Sequence, residues 1–158
     1  MKVLVDGDAC NKLDKIERIS KSLGVAVVVY SSVHRNCWYS EIHYVAKGKN
    51  EADFAIIEHC KKGDIVITKD SGLAVMALSK NAYAISPSGN VYTNENFIES
   101  LNTRYFRQAA LGVNKGSVKG LKHNGHKQDR MPFGKVLATT IIMEQNSRNK
   151  DNIRGETI

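Results

Sequence analysis

The chain has 158 residues, of which 42% are hydrophobic and 25% are charged, and this composition favours one folded domain and excludes a disordered chain. No apolar stretch approaches the roughly 20 residues that a membrane-spanning helix requires, and a strand pattern starting at Lys2 leaves no space for a signal peptide. The formal net charge of +7 falls entirely in residues 101–158, which hold 11 basic and 4 acidic residues, whereas residues 1–100 hold 12 of each.

Strand and helix patterns alternate through the first half of the chain. Short apolar or β-branched runs predict strands at residues 2–6, 25–30, 41–45, 65–68 and 82–85. Apolar residues at helical spacing predict helices over residues 11–23, 51–61 and 72–80. Because the connections are short, this order predicts an α/β fold in which helices cover a parallel sheet.

The pattern changes towards the C-terminus. A helix is expected from a cap at Thr93 or Asn94 to about Ala110. Glycines and lysines over residues 112–126 predict a mobile loop. A last helix is expected over residues 130–146, where apolar residues recur at helical spacing.

These patterns predict one domain over residues 1–146, with a basic helix and loop section at 101–146 and a polar C-terminal tail at 147–158. A cationic section beside a neutral body suits a polyanionic partner such as RNA or DNA, although a solvated tail accounts for the charge equally well. The odd, widely spaced set of cysteines predicts reduced thiols and a cytoplasmic location: Cys10, Cys37 and Cys60.

Acidic residues follow two of the predicted strands and lie on the helix between them. Asp6 and Asp8 come at the end of the first strand, Asp70 follows the fourth, and Asp53 lies in the first turn of the second helix. Because the carboxyl ends of parallel strands meet at one edge of a sheet, we expect these carboxylates to converge. They repel each other unless a cation is present, and oxygen ligands favour one or two Mg²⁺ or Mn²⁺ ions.

A cation site of this kind is typical of phosphodiester hydrolysis, because the ion activates water and neutralises charge on the phosphate. The alternative is that the aspartates are helix caps. In that case Asp8 or Asn11 caps the first helix, and Asp70 caps the third.

Several segments resemble one known family. They are residues 5–10 (Val-Asp-Gly-Asp-Ala-Cys), 51–53 (Glu-Ala-Asp), 62–74 (Lys-Gly-Asp-Ile-Val-Ile-Thr-Lys-Asp-Ser-Gly-Leu-Ala), 86–89 (Ser-Pro-Ser-Gly), 92–93 (Tyr-Thr), 104–105 (Arg-Tyr), 129–130 (Asp-Arg) and Phe133. On these motifs the chain resembles the bacterial YaiI/YqxD family of uncharacterised proteins, a branch of the PIN-like superfamily, over about residues 2–145.

The resemblance implies a three-layer PIN-like fold with a central, mainly parallel sheet flanked by helices. It also implies a metal-dependent nuclease that uses Mg²⁺ or Mn²⁺. The acidic residues of such proteins carry over onto four positions as metal ligands and catalytic residues: Asp6, Asp8, Asp53 and Asp70. Thr68 and Ser71 are expected to hold these ligands in place.

Basic residues are the expected contacts to the phosphates of a nucleic acid, with RNA the favoured partner and no membrane involved. Lys69 lies between Thr68 and Asp70, and the remaining candidates are in the basic section: Arg104, Arg107, Lys119, Lys122 and Arg130. The segment Asn-Cys-Trp-Tyr at 36–39 follows His34 and Arg35 and is expected to cover an apolar seam rather than stack on bases.

Two other functions compete with the nuclease. The first is a PIN-like RNA-binding module without catalysis, in which the aspartates hold a structural Mg²⁺. The second is a phosphatase like the haloacid dehalogenases, in which Asp6 attacks phosphorus and Asp8 is the general acid–base. The second is disfavoured because Cys10 stands where that class normally has Thr or Val, and because Gly63-Asp64 precedes a strand instead of following one.

Overall fold

A computed structural model of the chain describes residues 1–98 and 131–155. The predicted loop at 112–126 and most of the helix predicted to run to Ala110 lie outside the described residues.

Six strands form a single sheet. In chain order they are β1 (Lys2–Asp6), β2 (Ala26–Ser31), β3 (Glu41–Tyr44), β4 (Ile65–Ile67), β5 (Tyr83–Ile85) and β6 (Val91–Tyr92). Their spatial order is β3-β2-β1-β4-β5-β6, and every neighbouring pair is parallel except β5 with β6. The central strands are buried on both faces, as their nearly continuous apolar sequences predict.

Four helices whose bounds lie within the described residues cover the sheet: α1 (Leu13–Ser22), α2 (Glu51–His59), α3 (Ser71–Ser79) and α4 (Phe133–Gly155). Alternate side chains of β1 enter two separate cores. Val3 and Val5 pack with residues of α1 and α4 on one face, and Leu4 packs with residues of α2 and α3 on the other. The predicted α/β fold, with helices flanking a mainly parallel sheet, is therefore confirmed. None of the helices in the described segments is long and apolar enough to cross a membrane.

The structure differs from the prediction at two places after β5. The short strand β6 was not predicted, because two residues are too few to show a strand pattern; the turn closed by the Ser86 N–H donating to the Asn90 carbonyl returns the chain along β5. The last helix begins after Pro132 and continues to Gly155, so the part of the expected polar tail up to Gly155 is helical. The exposed side chains of this last part of the helix show no apolar pattern from which a helix could be predicted. The segment contains no proline that would end the helix.

A buried carboxylate fixes the connection between β2 and β3, here called the crossover segment (residues 32–40). Glu17 of α1 is fully buried. Its Oε1 accepts hydrogen bonds from the Tyr39 N–H at 3.1 Å, the Ser40 N–H at 2.9 Å and the Ser40 hydroxyl at 2.6 Å. Because three donors converge on one oxygen, the C-terminal end of the crossover segment is held firmly against α1.

Replacing Glu17 tests this role. We expect Glu17→Ala to lower the free energy of unfolding by about 2–4 kcal/mol, because the substitution removes the acceptor of three half-buried donors on Tyr39 and Ser40. Urea unfolding followed by circular dichroism measures the change. Glu58→Ala is the matched control, since Glu58 is exposed on α2 and its loss costs about 0.5 kcal/mol or less. Equal stability of the two variants would contradict this account of the crossover segment.

Candidate functional site

The four predicted aspartates line one cavity at the carboxyl edge of the sheet. The cavity has a volume of about 380 Å³, and Asp6, Asp8, Asp53 and Asp70 are all in its wall. The topology brings them together, because β1 pairs in parallel with β4 and both strands end at this edge. Asp53 reaches the same edge from the first turn of α2.

Asp6 is the most buried of the four, with 8% of its surface exposed. Burial raises the pKa of its carboxyl and the nearby charge of Asp8 adds to this, although the backbone N–H groups of Ala9 and Asp8 partly compensate. The Thr68 hydroxyl donates a long hydrogen bond of 3.5 Å to Asp6 and accepts one of 3.0 Å from the Asp70 N–H. Thr68 therefore connects the residues that follow β1 and β4.

Asp8 has its oxygens engaged by the end of β2. Its carboxylate accepts hydrogen bonds from the Ser31 hydroxyl at 2.6 Å, the Ser32 hydroxyl at 2.8 Å and the Ser32 N–H at 3.1 Å. Burial alone raises the pKa of Asp8, but these hydrogen bonds and the positive charge of Arg35 outweigh it and lower that pKa. Gly7 permits the close approach to β2, since a side chain there would meet Val29 at 2.7 Å.

Asp70 both caps α3 and lines the cavity. Its Oδ1 accepts a hydrogen bond of 2.9 Å from the Leu73 N–H, so the capping interpretation is correct for this residue. It is wrong for the first helix, because α1 starts after Lys12 without a side-chain cap bond. Burial raises the pKa of Asp53, and the neighbouring charges of Asp70 and Asp6 raise it further.

The ligand chemistry of the cavity fits Mg²⁺ or Mn²⁺, because its acidic side chains offer only oxygen atoms. The positions of the side chains fit a bound ion less closely than their chemistry does. Within residues 1–98 and 131–155, no three His, Cys, Asp or Glu side chains lie close enough together to hold an ion. Two of the four carboxylates also accept hydrogen bonds from the protein, Asp8 from Ser31 and Ser32 and Asp70 from the Leu73 N–H.

The other predicted site residues fall into two groups. Lys69 is exposed and lines the cavity, and Ser71 is the first residue of α3. The remaining predicted nucleic-acid contacts lie outside the described residues: Arg104, Arg107, Lys119, Lys122 and Arg130.

Part of the cavity wall was not predicted. The segment between β3 and α2 contributes Val45, Ala46, Gly48 and Asn50. Asn50 has a left-handed backbone (φ 67°) directly before α2, and it adds a residue with an amide side chain to the cavity wall. The Gly-Lys-Asn sequence before the helix is a turn signal that pointed to a loop, but not to its position at the site.

The two aromatic residues of the crossover segment differ in exposure, since Tyr39 is half-buried and Trp38 is exposed. Tyr39 packs against the core and its hydroxyl donates to the Val25 carbonyl at 3.0 Å. Trp38 is 52% exposed, and the Lys21 ammonium lies 5.1 Å from its ring centre. Tyr39 thus covers an apolar seam as predicted, whereas Trp38 does not.

The charge coupling between Asp70 and Asp53 gives a direct test of the site. We expect Asp70→Asn to lower the pKa of Asp53 towards its ordinary value, because removing a neighbouring negative charge favours ionisation. Asparagine is also a good helix cap, so α3 stays intact. Carbon-detected NMR of the side-chain carboxyls against pH measures the shift. Asp14→Asn, a change at an exposed aspartate paired with Arg18, should leave the pKa of Asp53 unchanged. If the pKa of Asp53 were the same in both variants and the wild type, the charges of Asp70 and Asp53 would not interact.

Relatives of the chain share most of its length. A protein named UPF0178 protein from Alkaliphilus oremlandii is 40% identical over 139 residues, which cover 87% of this chain and 88% of the relative. A UPF0178 protein from Clostridium acetobutylicum is 36% identical over 132 residues, covering 82% and 89%. One from Alkaliphilus metalliredigens is 34% identical over 158 residues, covering 98% and 99%.

Among solved structures, the chain is similar to a crystal structure of Rae1 (YacP) from Bacillus subtilis, with 17% identity and a TM-score of 0.39. The match covers 75% of this chain and 87% of that one, and it is too distant to inform function. The sequence profile of the uncharacterised YaiI/YqxD family matches residues 4–143. With that match and these relatives, the chain belongs to the YaiI/YqxD family.

Proposed function

We propose that this protein hydrolyses phosphodiester bonds in RNA or DNA with the help of Mg²⁺ or Mn²⁺. The observation that carries the proposal is the cavity at the carboxyl edge of the sheet, where carboxylates from three separate segments of the chain meet. The pKa values of Asp6 and Asp53 are raised, first by burial and further by the negative charges of neighbouring aspartates. A site that sustains such repulsion is typical of a functional centre.

Asp6, Asp8, Asp53 and Asp70 are the residues that would hold the cation. A bound divalent cation supplies positive charge that stabilises a phosphate in reaction and lowers the pKa of water. Thr68 orients the site by bonding to both Asp6 and the backbone of Asp70. Lys69 adds a positive charge at the cavity wall, where it attracts the anionic substrate.

RNA is the favoured substrate class. The positive charge of the protein is what attracts a nucleic acid. The excess of basic residues in 101–158 provides the attraction for a polyanion. The family resemblance to PIN-like nucleases points to the same chemistry. The names of the relatives state no activity, so the proposal rests on the residues of this chain.

An RNA-binding module without catalysis is the second candidate. It is favoured by one observation: in the described part of the chain, no three acidic side chains are already arranged around a cation position. A catalytic site requires these acidic side chains to move closer together when the ion binds. A binding module needs no such change.

A cleavage assay separates the two candidates. We expect the wild-type protein with Mn²⁺ to cut mixed-sequence single-stranded oligonucleotides, and Asp53→Asn and Asp70→Asn each to lower the rate by about 100-fold or more, because each removes charge from the cation site. Gel analysis of labelled RNA and DNA measures the rates. These variants are preferred to Asp8→Asn, which also disturbs the bonds to Ser31 and Ser32.

The control for this assay is Asp14→Asn, which changes an exposed aspartate on α1 and should cut at the wild-type rate. Cleavage that persists in both cavity variants would identify a contaminating nuclease. Tight RNA binding with no cleavage under Mg²⁺ or Mn²⁺ would favour the binding module.

Proton competition gives an independent test of the cation site. Because the pKa values of Asp6 and Asp53 are raised, these carboxyls hold their protons to a higher pH than ordinary aspartates do. Mn²⁺ requires the ionised forms, so its affinity should rise with pH through the raised pKa values and fall as the pH is lowered through them. Isothermal titration calorimetry across this range measures the effect. An affinity for Mn²⁺ that is independent of pH, or unchanged in Asp53→Asn, would rule out this site.

A further inference from the structure

A second cavity, here called the amino-edge pocket, lies at the edge of the sheet opposite the aspartate cavity. It has a volume of about 200 Å³, and four basic residues line it together with His59: Lys2, Lys61, Lys62 and Arg148. Lys2 begins β1, and Lys61 and Lys62 lie just before β4, so the pocket is at the amino ends of these two strands. Roughly 13 Å of extended strand separates Lys2 from Asp6, and a ligand in this pocket therefore does not occupy the aspartate cavity.

The wall of the amino-edge pocket is strongly basic. Its four basic residues are exposed, whereas Asp64, the one acidic residue in the wall, is buried. Among the ion pairs of the described residues, none includes a lysine of this pocket. Even when Glu144, which pairs with Arg148, is counted beside Asp64, the basic residues outnumber the acidic ones by four to two. A concave surface with this charge attracts an anion.

Asp64 joins two segments of the pocket wall. Its Oδ1 accepts a hydrogen bond of 2.8 Å from the Lys2 N–H, and its Oδ2 accepts one of 3.0 Å from the Lys61 N–H. The amino group of Met1 lies 3.9 Å from the same Oδ1. Because the carboxylate bonds to the backbone of both segments, Lys2 and Lys61 are held around the pocket before any ligand arrives, and such preorganisation favours binding.

The helix α4 holds Arg148 at the pocket. The Arg148 Nε donates to the Glu144 Oε1 at 2.8 Å, and the Nη2 donates to the Lys62 carbonyl at 3.3 Å. Gly63 (φ 79°) permits this close packing, because a side chain there would overlap both the Glu144 carboxylate and the Arg148 guanidinium. These bonds use two of the five N–H groups of the guanidinium. The fold therefore orients Arg148 and leaves it further donors for a ligand.

We propose that the amino-edge pocket is a phosphate-binding site, in which Arg148, Lys61 and Lys62 hold one phosphate group. The pocket is smaller than the range of about 300–1,000 Å³ that is typical of sites for drug-sized ligands, so it suits a single small group. A guanidinium donates parallel hydrogen bonds to phosphate oxygens, and lysine ammonium groups reach the other oxygens on flexible stems. The inference does not depend on the proposed hydrolysis, because the two sites are at opposite edges of the sheet.

A titration with inorganic phosphate tests the site. The isotope-labelled full chain is followed by NMR at the amide signals of Gly63 and Asp64, and sodium chloride at the same ionic strength is the control for screening. We expect saturable shifts with a Kd of about 1 mM. Arg148→Gln and Lys62→Gln should each raise Kd about tenfold, because each removes a charge-assisted hydrogen bond to the phosphate.

The matched control is Lys150→Gln, since Lys150 is exposed on the same helix as Arg148 but is not in the pocket wall. We expect its Kd to stay within about twofold of wild type. Thermal unfolding separates binding from folding. Lys62→Gln should melt at the wild-type temperature, because Arg148 bonds to the backbone carbonyl of Lys62 and not to its side chain. This variant tests the site even if Arg148→Gln loses its contact with Glu144 and unfolds.

A second titration identifies the source of the phosphate. A fluorescein-labelled single-stranded RNA is titrated with each variant in EDTA and followed by fluorescence anisotropy. Weaker RNA binding by Lys62→Gln than by Lys150→Gln supports a site for a nucleic-acid phosphate, whereas equal RNA binding with weakened phosphate binding supports a site for free phosphate. If the wild type shows no saturable shift at Gly63, or if Lys62→Gln and Lys150→Gln bind phosphate equally, the site is overturned, whether or not the aspartate cavity cuts RNA.

Discussion

The parallel pairing of β1 with β4 is the constraint on which the candidate site depends. It places the chain after Asp6 beside the chain after Ile67, so that carboxylates far apart in the sequence meet at one edge of the sheet. The pairing is stabilised by apolar side chains buried on both faces. The strongly buried centre of the fold thus supports an edge at which burial, together with the charges of neighbouring aspartates, raises the pKa values of Asp6 and Asp53.

Neutral donors hold the aspartates of the cavity. Hydroxyl and backbone N–H groups from Thr68, Ser31, Ser32 and Leu73 bond to them, whereas the ion pairs of the described residues all involve other acids. This arrangement orients the carboxylates without cancelling their charge. A cation from solution therefore meets carboxylates that form no ion pair with a lysine or arginine of the described residues.

The sequence predicts the elements whose patterns are long or strongly apolar. The β-branched runs identify β1, β2 and β4, and the strand–helix alternation identifies the parallel sheet, from which the common edge of Asp6 and Asp70 follows. β6 escapes prediction because a two-residue strand has no periodicity. The end of α4 is not predicted because its last turns are exposed and polar. Asn50 escapes because only the three-dimensional path of a loop shows what it lies beside.

The hydrogen bonds of Asp8 have a consequence for acid conditions. Because its pKa is lowered while those of Asp6 and Asp53 are raised, falling pH neutralises the interior of the cavity first. The tether from Asp8 to Ser31 and Ser32 contributes stability that is present above the ordinary pKa of an aspartate and is lost only as the pH falls through the lowered one. Mild acid should thus protonate Asp6 and Asp53 while the β2–β3 connection keeps its shape. The bonds from Asp8 to Ser31 and Ser32 should be lost only at a lower pH.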